Sequence, residues 1–312
     1  MDSKLSILGI ALVALLGAGC DTVNTVNDTP ATRSASLKQV DAQTQGNTPT
    51  QENKAEAKVF LDRGNAKYNS DDKQGAIADL NEAIRLDPKL TEAYVSRGNA
   101  KDDLGDSQGA IADYSQAIRL NPNFAPAYNE RGLAKYRAGN KQDANEDFDK
   151  AIRLDPKLAE AYYNRGNAKD DLGDKRSAIA DYNEAIRLKP NYPKAYINRG
   201  NVKDDSGDSQ GAIADYSEAI RLNPNESSAY RERGVARYRA KDFQGALSDY
   251  NKAIQLKPNY ANAFYSRGIL KGDLGDKQSA IADLTEAAKL FKEQGNTRFS
   301  DQALQRIQKL SQ

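Results

Sequence analysis

Small and apolar residues recur along this chain in a pattern with a period of 34 residues. In residues 91–124, counted as positions 1–34, they fall at positions 3, 4, 8 and 10, and then at 20, 21, 24, 27, 28 and 30. Steps of three and four residues place such side chains on one face of an α-helix. Each period therefore predicts two amphipathic helices, which we call helix A and helix B.

Start and stop signals separate the two predicted helices. Helix A is predicted over positions 1–14, because glycine stands at position 15 in five copies and can close a helix in the left-handed conformation. Asp or Asn at position 16 can cap the first turn of helix B. Proline at position 32, present in six copies, cannot continue that helix.

Seven copies of the pattern follow one another over residues 57–294. We number them repeats 1–7, and they begin at Ala57, Thr91, Ala125, Ala159, Pro193, Ser227 and Ala261. The last copy carries Lys292 where the others carry proline. The segment that follows, residues 295–312, has one apolar face and one polar face at helical spacing. It therefore predicts a capping helix for the end of the array.

The repeated residues resemble the tetratricopeptide repeat (TPR) family, with an aromatic residue at position 4, Gly at 8, Ala at 20, an aromatic residue at 24, Ala at 27 and Pro at 32. The resemblance implies an all-α fold, an α-solenoid in which helix pairs stack into a right-handed superhelix that binds other proteins in its concave groove. The sequence departs from the family at position 7, which is Arg instead of Leu, and at position 11, which is Lys or Arg instead of Tyr. It also lacks the Lys at position 5 with which one subclass clamps a terminal carboxylate.

The N-terminal residues 1–19 have the pattern of a signal peptide. Lys4 precedes an apolar run from Leu5 to Gly19, which is shorter than the roughly 20 residues that span a bilayer. The run ends in Leu-Gly-Ala-Gly-Cys at residues 16–20 and resembles a bacterial lipoprotein signal, although Gly17 stands where that signal usually has Leu. We therefore expect an exported, periplasmic or cell-envelope protein with a lipid on Cys20. Plain secretion after ordinary cleavage is the alternative.

Residues 20–56 are rich in Thr, Asn, Gln and Ser and contain few large apolar residues. Such a segment cannot bury enough surface to offset its ordering entropy, and we expect a disordered polar tether.

Composition narrows the function further. The chain has no His, one Cys and a formal net charge of +1. Catalytic triads, Cys–His nucleophiles and the usual zinc sites therefore cannot be built from it. Near-neutral charge argues against nucleic acid as a partner. We expect no enzymatic activity and no cofactor.

Opposite charges recur in every repeat. Arg stands at position 7, Asp at position 23, and Lys or Arg at position 11. The expectation is an Arg–Asp pair that ties helix A to helix B, with the base at position 11 as a second partner. A ladder of Arg residues for an anionic ligand is the alternative.

Helix A positions 6, 9, 12 and 13 are rich in amides and acids in repeats 2, 4 and 5, on the side that lines the groove in the family. Asn can both donate to and accept from the backbone of an extended peptide. The Asp pairs lie at the end of helix A where the helix dipole disfavours anions, so a basic partner segment or a divalent cation would explain them; solvated surface residues are the alternative. The candidate partner-binding residues are Asn99, Asp102, Asp103, Asn164, Asn167, Asp170, Asp171, Asn198, Asn201, Asp204 and Asp205.

Together these features predict an exported, lipid-anchored scaffold or adaptor that binds partner proteins or extended peptides in a concave groove, with the membrane as a further partner through Cys20. The alternative hypothesis is an envelope protein that handles a ligand or a divalent metal with its paired Asp residues. No Asp-x-Asp-x-Asp-Gly loop of the calcium-binding type supports that alternative.

Overall fold

The computed structural model describes residues 49–312, so the signal peptide, Cys20 and most of the tether lie outside the described residues. Within this range the chain forms fifteen α-helices and no strand. The helices are α1 (Gln51–Asn69), α2 (Lys73–Leu86), α3 (Thr91–Asp103), α4 (Ser107–Leu120), α5 (Ala125–Arg137), α6 (Lys141–Leu154), α7 (Ala159–Asp171), α8 (Lys175–Leu188), α9 (Pro193–Asp205), α10 (Ser209–Leu222), α11 (Ser227–Arg239), α12 (Phe243–Leu256), α13 (Ala261–Asp273), α14 (Lys277–Glu293) and α15 (Thr297–Ser311).

Odd-numbered helices up to α13 are helix A of repeats 1–7, and even-numbered helices are helix B. The predicted all-α solenoid of two-helix repeats with a terminal capping helix is confirmed. One boundary differs from the prediction, because α1 already begins at Gln51 and residues 51–56 are helical instead of belonging to the tether. The hydroxyl of Thr50 accepts a hydrogen bond from the backbone N–H of Asn53 at 3.1 Å, and this cap extends the first helix beyond the repeat pattern.

Close contact between helices A and B depends on glycine at position 8. A Cβ atom placed on Gly98 would lie 2.5 Å from a ring carbon of Tyr114, the residue at position 24 of the same repeat. The other six repeats show the same close approach, at 2.6 to 2.9 Å. The alanines at positions 20 and 27 are fully buried beside this contact. Any larger side chain at position 8 would push the two helices apart.

The turn between helices A and B follows the sequence signals. Glycine at position 15 has φ of +87° to +89° in five repeats, a conformation that other residues adopt at a cost. Asp at position 16 then accepts a hydrogen bond from a backbone N–H of the first turn of helix B in six repeats, as at Asp106 and Gly109, 2.9 Å. Repeats 1 and 6 have Asp71 and Lys241 at position 15, with φ of 70° and 64°.

In each repeat the arginine at position 7 of helix A binds the aspartate at position 23 of helix B, a contact that we call the arginine staple. In repeat 2, Nε and Nη2 of Arg97 donate to the two carboxylate oxygens of Asp113, at 2.8 and 2.5 Å. Nζ of Lys101 reaches the same carboxylate at 2.8 Å. All seven repeats have this arrangement, and the predicted Arg–Asp pair is confirmed.

The same arginines also bind the preceding repeat, which the sequence analysis did not anticipate. Nη1 of Arg97 donates to Oδ1 of Asn81, at position 25 of repeat 1, over 2.7 Å. The corresponding acceptors for repeats 3–7 are Ser115, Asp149, Asn183, Ser217 and Asn251. In repeats 2–7 all three guanidinium nitrogens are therefore bonded within the chain, and these arginines are poorly placed to hold an anionic ligand.

Neighbouring repeats pack unevenly, and this defines the groove. Helix A of each repeat touches helix A of the next, as α3 touches α5, whereas neighbouring B helices are spread apart. The A helices therefore line the inner, concave side of the stack. The capping helix α15 packs on α14 at the far end, where Ala303 is fully buried.

We predict that Lys241→Gly stabilises the protein. A non-glycine residue in the left-handed region costs about 1–2 kcal/mol, and the greater freedom of glycine in the unfolded chain offsets part of the gain, so the free energy of unfolding should rise by about 0.5–1 kcal/mol. Urea unfolding followed by circular dichroism measures it. The matched control Gly207→Ala, at the same position of repeat 5, should lower stability. A lower midpoint for Lys241→Gly would contradict the prediction.

We also predict a pH signature for the staple. Hydrogen bonds from Arg63, aided by Lys67 and opposed by burial, lower the pKa of Asp79 to about 2. Because an unfolded Asp titrates near 3.9, the unfolded chain binds the proton more readily between these values, so this carboxylate stabilises the fold above about pH 4 and loses its effect as pH falls to about 2. The difference in urea midpoint between wild type and Asp79→Asn should shrink over that window, with the exposed Asp301→Asn as control. A difference that stays constant with pH would contradict this origin.

Candidate functional site

The floor of the groove is polar and largely bonded to itself. The hydroxyl of Tyr114, at position 24 of repeat 2, donates to Oδ1 of Asn99, at position 9, over 2.8 Å. The same bond joins Tyr182 to Asn167 and Tyr216 to Asn201, each at 2.8 Å. Three of the candidate asparagines therefore anchor a buried tyrosine from helix B, and their carbonyl oxygens are already occupied.

The asparagines at position 6 link one repeat to the one before it. Nδ2 of Asn164 donates to Oδ1 of Asn129 at 3.1 Å, and Asn164 is only 8% exposed. Nδ2 of Asn198 lies 3.1 Å from the Tyr163 hydroxyl and 2.8 Å from Oδ1 of Asn167. The sequence predicts that the amides at position 6 face a ligand. The structure places Asn164 inside the wall of the groove instead, because position 6 of one repeat meets position 5 of the previous one.

The Asp pairs also lie at junctions between repeats. Position 12 of one repeat meets position 13 of the next, and five of the six junctions in repeats 1–7 are matched by a hydrogen bond or an ion pair. In three of them a tyrosine hydroxyl donates to an aspartate: Tyr68 to Asp103 and Tyr136 to Asp171, each at 2.7 Å, and Tyr238 to Asp273. In two of them an arginine of the following repeat donates to an aspartate: Arg137 to Asp102, and Arg239 to Asp204.

These partners explain most of the acidic residues that the helix dipole disfavours. Asp102 and Asp204 are 6% exposed in their side chains, and Ser107 and Ser209 add hydroxyl donors to them at 3.2 and 2.8 Å. Lys141 reaches the carboxylate of Asp171 at 3.0 Å. Four of the six acids therefore stabilise junctions between repeats.

The junction between repeats 4 and 5 is the exception. Here Asp170 stands at position 12 and Asp205 at position 13, so two carboxylates occupy the places of an acid and its donor. Within residues 49–312 neither carboxylate has an ion pair or a hydrogen bond, since Nζ of Lys175 donates to the backbone carbonyl of Asp205, at 3.3 Å. Burial, together with the nearby charge of Asp171, raises the pKa of Asp170; Lys175 opposes this shift, and Asp205 adds a smaller increase.

Two recesses open on this junction. One, of about 370 Å³, is lined by the acids Asp170, Asp204, Asp205 and Glu232 and by the bases Arg231 and Arg239, with Asn201, Tyr216 and Val235 completing its walls. The other, of about 230 Å³, lies between Asp170, Asp171 and Asn167. An adjacent recess of about 590 Å³ has Tyr163, Tyr192 and Ile197 among its walls and adds apolar surface to the groove. The arrangement leaves room for an extended chain beside two carboxylates that have no hydrogen bond or ion pair within residues 49–312, with Lys175 nearby.

Two further observations limit the chemistry of the described residues. No group of three or more Asp, Glu, Cys or His side chains in residues 49–312 is placed to hold a metal ion. None of the helices in this range is both long and apolar enough to cross a bilayer.

Comparisons with known proteins agree with the architecture. Tetratricopeptide repeat models match residues 57–90, 98–139, 125–158, 159–192 and 197–261. A model of anaphase-promoting complex subunit 5 matches residues 233–312. A search of the curated proteins finds no match.

Similar folds occur among solved structures. A chain of the APC/C hetero-tetramer Cut9–Hcn1 is 20% identical with a TM-score of 0.66, over 80% of this chain and 48% of that one. PilF of Pseudomonas aeruginosa is 15% identical with a TM-score of 0.62, over 68% and 96%. YrrB, described as a TPR protein with an unusual peptide-binding site, is 21% identical with a TM-score of 0.51, over 60% and 97%. Because the repeat models align with the helix pairs of the structure, this chain belongs to the tetratricopeptide repeat proteins.

Proposed function

We propose that this protein is an exported, lipid-anchored scaffold that holds a segment of a partner protein in the groove lined by its A helices. The partner segment carries a basic side chain, which binds between Asp170 and Asp205. The protein itself performs no catalysis; it places its partner near a membrane.

The observation that carries this proposal is the unmatched junction between repeats 4 and 5. At the same position in their helices, Asp102 accepts a hydrogen bond from the guanidinium of Arg137, and Asp204 accepts one from that of Arg239. Asp170 has the same position in its helix and no such donor, and Asp205 brings a second negative charge. Asp170 is partly buried and Asp205 is exposed beside it, and burial and neighbouring carboxylates disfavour the ionised form of Asp170. An arginine or lysine from a partner would remove that cost.

The rest of the groove fits an extended polypeptide. Tyr163, Tyr192 and Ile197 provide apolar contact beside the acidic recesses. Amide nitrogens of Asn99 and Asn201 remain available to backbone carbonyls, because only their oxygens are bonded to tyrosine. Among the similar folds, YrrB is a TPR protein with a peptide-binding site, which supports the class of ligand without specifying its sequence.

Support for export and anchoring comes from the N-terminal sequence. Residues 1–19 have a signal-peptide pattern that ends at Cys20, the only cysteine of the chain. The polar residues between Cys20 and Thr50 would let the repeats stand away from the membrane surface. A partner bound in the groove would then be held near the membrane at a distance set by this tether.

We predict that Asp205→Arg abolishes partner binding and stabilises the fold. The new guanidinium would meet Asp170 as Arg239 meets Asp204, so the groove would supply its own cation and exclude that of the partner. A photo-crosslinking residue at Asn201 should capture a partner in cells from the wild type, and about tenfold less from Asp205→Arg, the ratio that corresponds to roughly 1.4 kcal/mol.

Asp301→Arg on the capping helix is the matched control, because it makes the same charge change away from the groove. Thermal unfolding of Asp205→Arg should occur at or above the wild-type temperature, so that loss of capture cannot come from unfolding. Equal capture by wild type and Asp205→Arg would remove the basis of the proposed site.

We also predict that Cys20→Ala releases the protein from membranes. Without the thiol no lipid can be attached to residue 20. In a bacterial expression host, the wild type should sediment with membranes and the variant should appear in the soluble fraction. Ser36→Ala in the tether is the control. If Cys20→Ala still sediments with membranes, lipid anchoring is refuted.

A further inference from the structure

One buried tyrosine of the groove lacks the partner that its equivalents have. Position 24 is tyrosine in repeats 2, 4, 5 and 6, and in the first three of these its hydroxyl donates to Asn at position 9. In repeat 6 the tyrosine is Tyr250, but position 9 is Val235, which offers no acceptor. Tyr250 is 2% exposed, and its hydroxyl has no hydrogen bond to any group in the described part of the chain.

Tyr250 lines a recess of about 260 Å³ between helices α11 and α13. Val235, Ile269 and the ring of Tyr265 form apolar walls. Arg231, at position 5 of repeat 6, lines the same recess, and its Nε is buried without a hydrogen-bond partner. Arg231 and the Tyr250 hydroxyl thus place donors without a partner in the same wall.

The charged side chains that line this recess are Arg231 and Arg239, and no carboxylate lines it. Both arginines are ion-paired, Arg239 with Asp204 and Nη1 of Arg231 with Glu232. Nε and Nη2 of Arg231 have no hydrogen bond within the described part of the chain. Burial raises the pKa of the Tyr250 phenol, so its hydroxyl stays protonated and can donate a hydrogen bond to an acceptor. Guanidinium and phenol donors in a partly desolvated place match a carboxylate better than any neutral acceptor.

We propose that this recess binds the carboxylate of a glutamate side chain from the partner segment, with the Tyr250 hydroxyl and the guanidinium of Arg231 as donors. The apolar walls take the methylene stem, and the carboxylate fills the acceptor place that Asn occupies in repeats 2, 4 and 5. The carboxylate clamp known for one TPR subclass requires Lys at position 5, and this recess is built from Arg at position 5 and Tyr at position 24 instead.

The inference rests on the proposed function, since the glutamate would come from the polypeptide in the groove. It also specifies the direction in which that polypeptide lies along the groove. The acidic junction of repeats 4 and 5 would take a basic residue, and the recess of repeats 6 and 7 an acidic one. A segment laid in the reverse direction would place like charges together at both sites.

The recess can be tested without knowing the partner. The probe is N-acetyl-glutamate N-methylamide, titrated into the full chain labelled with fluorotyrosine, with the Tyr250 resonance assigned from Tyr250→Phe. We expect a saturable shift of that resonance with a dissociation constant in the millimolar range, as suits so small a ligand. N-acetyl-glutamine N-methylamide should bind at least about tenfold more weakly, the difference of one charge-assisted hydrogen bond.

Variants separate the proposed contacts from general effects on the fold. Val235→Asn gives Tyr250 the acceptor that its equivalents have, and should weaken glutamate binding about tenfold or more while the melting temperature holds or rises. Arg231→Gln should weaken it similarly. Tyr216→Phe, in repeat 5, is the matched control and should leave the binding unchanged.

Three results would overturn the inference: no saturable shift up to about 50 mM probe, equal binding of the glutamine analogue, or unchanged binding by Val235→Asn. Asp205→Arg should bind the glutamate probe as the wild type does. Glutamate binding in the recess and the dependence of partner capture on Asp205 are thus measured independently. Either proposal can be contradicted while the other stands.

Discussion

In repeats 2–7 the arginine at position 7 joins three helices, and the stacking of the array depends on this contact. The guanidinium binds Asp at position 23 through two nitrogens and the residue at position 25 of the preceding repeat through the third, while an aromatic ring at position 4 lies beneath it, 5.5 Å away for Arg97 and Tyr94. An ion pair of this kind adds little net stability, but its fixed geometry specifies register. Small residues at positions 8, 20 and 27 bring the helices close, and the staple determines the angle at which each repeat meets the next.

Because register is fixed, polar residues of the groove meet the same neighbours at every junction. Position 5 meets position 6 of the next repeat, and position 12 meets position 13. Most of these polar groups therefore bond to each other inside the chain. The sequence predicts a groove lined by free amides and acids, but the structure leaves few of them without a partner. Among the free groups of residues 49–312 are Asp170, Asp205, the Tyr250 hydroxyl and the guanidinium of Arg231, and the two proposals for ligand contacts arise from these four.

The fold could be predicted from sequence because its causes are local and repeated. Gly at position 8, Gly at position 15, Asp at position 16 and Pro at position 32 each act within one helix pair, and seven copies made them unmistakable. The groove could not be predicted to the same depth, because the partner of Asp102 lies 35 residues away on Arg137 and depends on how the repeats rotate. Two signals were nevertheless present: a short polar residue at position 25 in every copy, and Val235 where other repeats with tyrosine at position 24 have Asn.

The pairing of position 12 with position 13 also means that these repeats are not interchangeable modules. Were repeat 3 removed, Asp102 would meet Asp171, and two matched junctions would be replaced by a repulsive one. Were repeat 4 removed, Tyr136 would meet Asp205, and every remaining junction would have a donor and an acceptor. The residues at positions 12 and 13 therefore determine which repeats can be neighbours. Removing a single repeat would either create a repulsive junction or eliminate the unmatched junction between Asp170 and Asp205.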